Sequence, residues 1–137
     1  LDFVSKLKEN SSRKIILNTY GEGFNSKDYC DYNFEIKNHG FLDNIENIYL
    51  KNDFLIFTSK WEGFGNVLVE AIYYGCTPIL KKKIPFGPDE IIKKLGTGLF
   101  IDDININEID NDLINSFPRK IINTSMFNNV NTKNILN

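Results

Sequence analysis

Four consecutive large apolar residues, Phe54-Leu-Ile-Phe57, constrain this chain more than any other feature in it. Such a run has no solvent face, so it fits a strand in a sheet covered on both sides. A loop from Ser59 to Gly65 follows, then Asn66-Val-Leu-Val-Glu-Ala-Ile-Tyr-Tyr74 ending at Gly75, then the short strand Thr77-Pro-Ile-Leu80, with Pro78 tolerable near its start. Val67, Leu68, Ala71 and Ile72 form one helical stripe, and Gly75 is a natural C-terminal stop. A strand, a helix and a second strand in succession imply a right-handed crossover and parallel strands.

The same alternation runs along the rest of the chain. Phe3, Val4 and Leu7 share the face of a short helix over Asp2–Lys8. Lys14-Ile-Ile-Leu-Asn18 reads as a strand buried on both faces, and Asn33-Phe-Glu-Ile-Lys37 as a half-covered or edge strand. Ile45, Ile48 and Tyr49 recur at helical spacing, with Asp43 or Asn44 as the cap. Pro88 at a first helical position, with Asp89 and Glu90 in the first turn, opens another helix. Its buried face is Ile91, Ile92 and Leu95, Gly96 closes it, and Leu99-Phe-Ile101 is a last strand. The expected fold class is therefore α/β, a Rossmann-like, doubly wound parallel sheet.

Length and composition bound the function. A chain of 137 residues, 42% hydrophobic and 25% charged, is one globular domain spanning 1–137, with 102–137 expected as a helical, Asn-rich tail. Weak helical patterns there cover Glu108–Phe117 and Asn128–Leu136. A net charge of -2 argues against nucleic-acid binding. There is neither an apolar run near the roughly 18 residues of a membrane span nor a signal-peptide pattern at the N-terminus. Two cysteines and one histidine exclude a disulfide scaffold and a Cys/His zinc site. Asn and Ile each occur 19 times, a bias that fits an AT-rich genome better than a functional demand. A first residue of Leu1 rather than Met leads us to expect a piece of a longer protein.

In parallel α/β sheets, ligands bind beyond the carboxyl ends of the strands, at helix N-termini. Here that place is the loop Ser59-Lys-Trp-Glu-Gly-Phe-Gly-Asn66. Gly63 and Gly65 let the backbone approach a ligand or take positive φ. The N–H groups of Gly65, Asn66 and Val67 would face an anion such as a diphosphate. Glu70 sits among Val67, Leu68, Val69, Ala71 and Ile72, where a carboxylate is costly unless hydrogen-bonded. A sugar diol would satisfy it; the alternative is that Glu70 merely lies on an exposed stripe and the glycines merely make a turn.

Glu62-Gly-Phe-Gly-Asn-Val-Leu-Val-Glu70-Ala71, followed by Gly75-Cys-Thr-Pro78-Ile79, resembles the E-x7-E signature of retaining glycosyltransferases of family 4, which have the two-domain GT-B fold. Tyr20-Gly21-Glu22-Gly23 resembles the family's glycine loop after an early strand, and His39-Gly40-Phe41 its turn before the next helix. Asp53 to Ser59 is similar to its central strand, with Asn52 where alanine is usual, and Phe86-Gly87-Pro88-Asp89-Glu90-Ile91-Ile92 to the segment that follows. Five landmarks in order across about eighty residues are far more specific than one motif.

The resemblance implies the C-terminal, donor-binding half of a GT-B enzyme. Glu62 would be the catalytic residue, contacting the donor sugar, and Glu70 would bind the ribose hydroxyls. Backbone around Gly63, Phe64, Gly65, Asn66 and Val67 would hold the diphosphate, while Gly21, Gly40 and Phe41 would border the nucleotide. The donor would be a UDP-sugar or GDP-sugar, with no separate cofactor and no protein-bound metal, and a hexose-type sugar would pass to an acceptor hydroxyl with retention. A carbohydrate or lipid-linked acceptor would bind the absent N-terminal domain. Family habits add bacterial surface polysaccharide or lipopolysaccharide synthesis, in the cytoplasm or at the inner face of its membrane, with the full-length protein associated peripherally. Two departures stand out. The family's Arg and Lys on the diphosphate lie upstream of Leu1, a role that Lys6 and Lys8 do not fill, and the stretch between Gly23 and Gly40 is short. The chain alone is therefore expected to bind donor weakly and to catalyse little or nothing. The alternatives are a degenerate or truncated binding module, or a GT-B-fold sugar-nucleotide epimerase.

Other residues have plainer readings beside the functional ones. Lys81-Lys-Lys83 is phosphate-contacting or, more simply, a solvated loop. His39 borders a base or phosphate, or is polar surface. Trp61 stacks on a ligand or covers a sheet edge. Cys30 and Cys76 read as a loop thiol and a packing residue, and Tyr73 and Tyr74 as helix packing.

Overall fold

In a computed structural model of the chain, residues 2–23, 32–59, 65–80 and 87–101 are described. The helix at the start, α1 (Asp2–Glu9), buries Val4. Strand β1 (Ile16–Thr19) pairs in parallel with β2 (Glu35–Asn38), Ile16 facing Glu35 and Thr19 facing Asn38. This strand begins two residues later than the apolar run suggested, and Ile16 is exposed rather than covered on both faces. A helix, α2 (Ile45–Lys51), follows, buried at Tyr49. The Asn47 N–H donates to Asn44 Oδ1 at 3.1 Å, so Asn44, not Asp43, caps it.

The remaining elements are β3 (Phe54–Phe57), α3 (Asn66–Tyr73), β4 (Thr77–Leu80), α4 (Pro88–Leu95) and β5 (Leu99–Phe100). The three strands form a parallel sheet in the order β3-β4-β5. All four residues of the central strand β4 are buried, whereas in β3 only Phe57 is. The apolar run marks a strand correctly, yet the flanked strand is the one covered throughout.

Pro78 is tolerated inside β4 for a geometric reason. The Thr77 N–H donates to the Asp53 carbonyl at 2.9 Å, so by the alternation of a parallel ladder the Pro78 nitrogen turns to the opposite edge. There β5 pairs with β4 only from Ile79 onwards, and no ladder bond is lost.

Helices α3 and α4 share one apolar cluster with the sheet: Phe57, Leu68, Ile72, Leu80, Ile91 and Ile92. A second cluster joins Tyr49 of α2 to Ala71 and Cys76. Leu68, Ala71 and Ile72 are buried as their helical spacing predicts, but Val67 is 43% exposed. It stands in the first turn, at the loop end of the helix. The other end of α3 closes as a Schellman motif: Gly75, at φ 79°, donates to the Ile72 carbonyl at 3.0 Å, and Cys76 to that of Ala71 at 2.8 Å. The described residues fall into two compact units, one up to Ile48 and one from Tyr49. The helix and strand patterns expected over 102–137 lie outside the described residues.

Candidate functional site

Parallel pairing aligns the carboxyl ends of β3, β4 and β5, and α3 begins on the loop that leaves β3. Gly65 is the N-cap of α3, at φ 84° and ψ 44°, with no side chain capping the helix. Its carbonyl accepts from the Leu68 N–H at 2.9 Å and more distantly from Val69 at 3.4 Å. The N–H groups of Asn66 and Val67 precede the first intrahelical bonds, so they project from the helix start, where its dipole favours negative charge. Asn66 and Val67 are both exposed there, and neither Asp nor Glu occupies the first turn.

One turn further in, Glu70 is partly buried, and its Oε2 accepts a hydrogen bond from the Tyr49 hydroxyl at 3.1 Å. The carboxylate is neither fully solvated nor dependent on a ligand for its first partner. Burial, and then the Glu70 carboxylate that its proton serves, push the Tyr49 phenol well above its ordinary ionisation. Tyr49 also stacks on Tyr74, with ring centroids 6.0 Å apart and planes 11° from parallel. Nothing in the sequence pattern linked Tyr49 to Glu70. The periodicity identified each as a helix residue, but not that the Tyr49 hydroxyl meets the Glu70 carboxylate.

At the start of α4, Asp89 Oδ1 is shut off from solvent without a hydrogen-bond partner. The sequence reading gave Asp89 only a place in the helix's first turn. A Cβ at Gly65 would lie 3.6 Å from Pro88 Cγ, so the starts of α3 and α4 are neighbours.

In the other unit, the loops leaving β1 and β2 are tied together. The His39 N–H donates to the Thr19 carbonyl at 3.0 Å, and the Gly21 N–H to the Gly40 carbonyl at 2.7 Å. Asn38 Oδ1 accepts from the Gly40 N–H at 3.1 Å, tightening the turn. The His39 ring stacks on Tyr20, with centroids 4.9 Å apart and planes 13° from parallel, and its Nε2 lies 2.8 Å from Asn18 Oδ1. Phe41, just beyond, is 75% exposed. The structure thus joins Gly21 to Gly40, and separately gathers Gly65, Asn66, Val67 and Glu70 along the start of α3. Glu62, Gly63 and Phe64, with Cys30, Trp61 and Lys81–Lys83, lie outside the described residues. Among the described residues, no three His, Cys, Asp or Glu side chains gather as metal ligands would, and no helix is long and apolar enough to cross a membrane.

The family model for glycosyl transferases group 1 matches residues 1–118. The chain belongs to that family. This group 1 glycosyltransferase domain is 34% identical over 73 residues to an uncharacterized 41.2 kDa protein in the cps region of Klebsiella pneumoniae, a match covering 52% of the chain and 20% of that protein. The crystal structure of a GtfA/B complex is similar to it with a TM-score of 0.50 at 20% identity, over 93% of the chain and 26% of the other. The chain therefore spans about a fifth of the first protein's length and about a quarter of the second's. The structural likeness carries the fold, and the parallel α/β class expected for half of a GT-B glycosyltransferase is the one found.

Proposed function

We propose that this chain is the donor-binding domain of a retaining glycosyltransferase of family 4. It holds a nucleoside diphosphate sugar, UDP- or GDP-linked, while a hexose-type sugar passes to an acceptor hydroxyl. The bond from the anomeric carbon to the β-phosphate oxygen breaks, the acceptor oxygen takes its place on the same face, and the acceptor's proton passes to the departing diphosphate oxygen. The observation that carries this reading is Glu70, the second acid of the E-x7-E signature, held on α3 one turn from an uncapped helix start. A diphosphate beside the N–H groups of Gly65, Asn66 and Val67, with ribose hydroxyls on Glu70, matches the chemistry each group offers. Glu62 would meet the donor sugar, and Gly21, Gly40 and Phe41 would border the base.

The role assigned to the whole enzyme is bacterial surface polysaccharide or lipopolysaccharide synthesis, in the cytoplasm or at the inner face of its membrane. The relative encoded in a cps region supports that setting. The acceptor would be a carbohydrate or a lipid-linked sugar bound by another domain, and the donor needs no further cofactor.

Calorimetric titration with UDP, GDP, ADP and CMP tests the proposal. Saturable binding of one nucleoside diphosphate is expected, and Glu70→Ala weakens it by about 1–3 kcal/mol, the range for a hydrogen bond to a charged group. An unchanged dissociation constant in that variant would remove Glu70 from the site. A folded chain that binds none of the four would mean either that the family's Arg and Lys dominate affinity or that the module is non-catalytic, and the same titration on the full-length protein separates the two. Release of an epimerised nucleotide sugar by the whole enzyme would favour an epimerase.

A further inference from the structure

We propose that Tyr49 is a positioning residue for nucleotide binding: its hydroxyl pins the Glu70 carboxylate so that the unshared oxygen, Oε1, is presented to a vicinal diol. This rests on the reading of Glu70 as the ribose-binding acid. A glutamate one turn into a helix has three side-chain torsions to fix, and fixing them at the moment of binding subtracts from affinity. Here the fixing is done in advance. The Tyr49 hydroxyl donates to Oε2 at 3.1 Å from a side chain only 6% exposed. Tyr49 is itself held by Ala71 and Cys76 in one apolar cluster and by its stack on Tyr74. Two of these contacts, Ala71 and Tyr74, come from the residues that directly follow Glu70 in the chain, so the phenol is referenced to the same stretch it orients.

The donor is also suited to its acceptor. A phenol kept protonated offers one hydrogen and adds no charge, leaving Glu70 as an acceptor-only group for two sugar hydroxyls. Ordinary serine or water in that place would donate as well, but neither is anchored by ring packing. Removing the hydroxyl alone separates positioning from packing, because phenylalanine keeps the ring, its stack and its burial.

The test measures binding of UDP, GDP and ADP, each beside its 2′,3′-dideoxy counterpart, to the 137-residue chain and to Tyr49→Phe, Glu70→Gln and the double variant. Tyr49→Phe is expected to weaken the ribose forms roughly three- to tenfold, leave the dideoxy forms unchanged, and add nothing in the Glu70→Gln background. An equal loss for ribose and dideoxy forms would make Tyr49 merely structural and overturn the proposal. If Glu70→Gln abolishes the preference for ribose while Tyr49→Phe leaves it intact, the Tyr49 role fails and the Glu70 reading stands. If the preference survives Glu70→Gln, or a folded chain binds no probe, the Glu70 reading falls and takes the Tyr49 role with it. A readout without ligand covers the event that Tyr49→Phe does not fold. By ultraviolet titration, Glu70→Gln should let the Tyr49 phenol ionise at lower pH, closer to an ordinary tyrosine, and an unmoved phenol overturns the proposal.

Discussion

At Gly65 the backbone sits at φ 84°, and a Cβ built there would lie 3.3 Å from Leu68 Cδ1 and 3.7 Å from Ile91 Cδ1. Two restrictions meet at one position: a left-handed conformation that L side chains seldom adopt, and a close approach of α4 to the start of α3. Gly65→Ala is expected to destabilise the chain by roughly 1–2 kcal/mol, from the left-handed cost alone with the contacts relaxing around the methyl. Chemical denaturation measures it, and a change within error would mean that the loop finds another path. The sequence made Gly65 legible as a residue needing freedom, because two glycines precede a helical stripe. Glu70 was legible as an unusual carboxylate among apolar neighbours. Its hydroxyl partner was not, since Tyr49 lies 21 residues earlier in the chain and spacing along one helix says nothing about which helix faces it.

Among the elements, α2 depends most on its ends. Seven residues are too few to hold a helix in water without tertiary packing and capping. Its packing is the Tyr49 end, and its cap is the Asn44 side chain on the Asn47 N–H. Asn44→Ala is expected to cost about 1 kcal/mol, as for other cap deletions, while Asp43→Ala should leave stability near the parent's. Denaturant midpoints of the two variants decide it, and reversal of their order would move the cap to Asp43. The sequence offered both residues because each is a good cap, and only the helix boundary chooses between them. Helix ends with strong signals were read more closely: Pro88 opens α4, and Gly96 closes it at φ 63° with its N–H on the Ile92 carbonyl. Strand β1 was placed less well, since an apolar run flanked by polar residues does not reveal where its ladder with β2 begins.

For the molecule as a whole, the parallel pairing followed from alternation, since each crossover helix must return the chain to the end of the sheet at which the previous strand began. The split into two compact units had no comparable signal, because no Gly-, Pro- or Ser-rich stretch marks Ile48. Folding stability gives a further test at this scale, through the proton on Tyr49. That phenol ionises less readily in the folded chain than the ordinary value of 10.0, owing first to burial and then to Glu70. Its folded-state pKa is therefore raised, so its contribution is fully present below the unfolded pKa and is lost as pH climbs towards the folded one. Above about pH 10 the unfolded chain releases this proton while the folded chain keeps it, which favours unfolding. Tyr49→Phe has no such proton, so its stability should fall less steeply than the parent's across that alkaline window, though it starts lower at neutral pH. Denaturation midpoints of the two proteins at neutral pH and above pH 10 supply the comparison. Parallel curves would mean that the Tyr49 proton is held no more tightly in the folded chain than in the unfolded one.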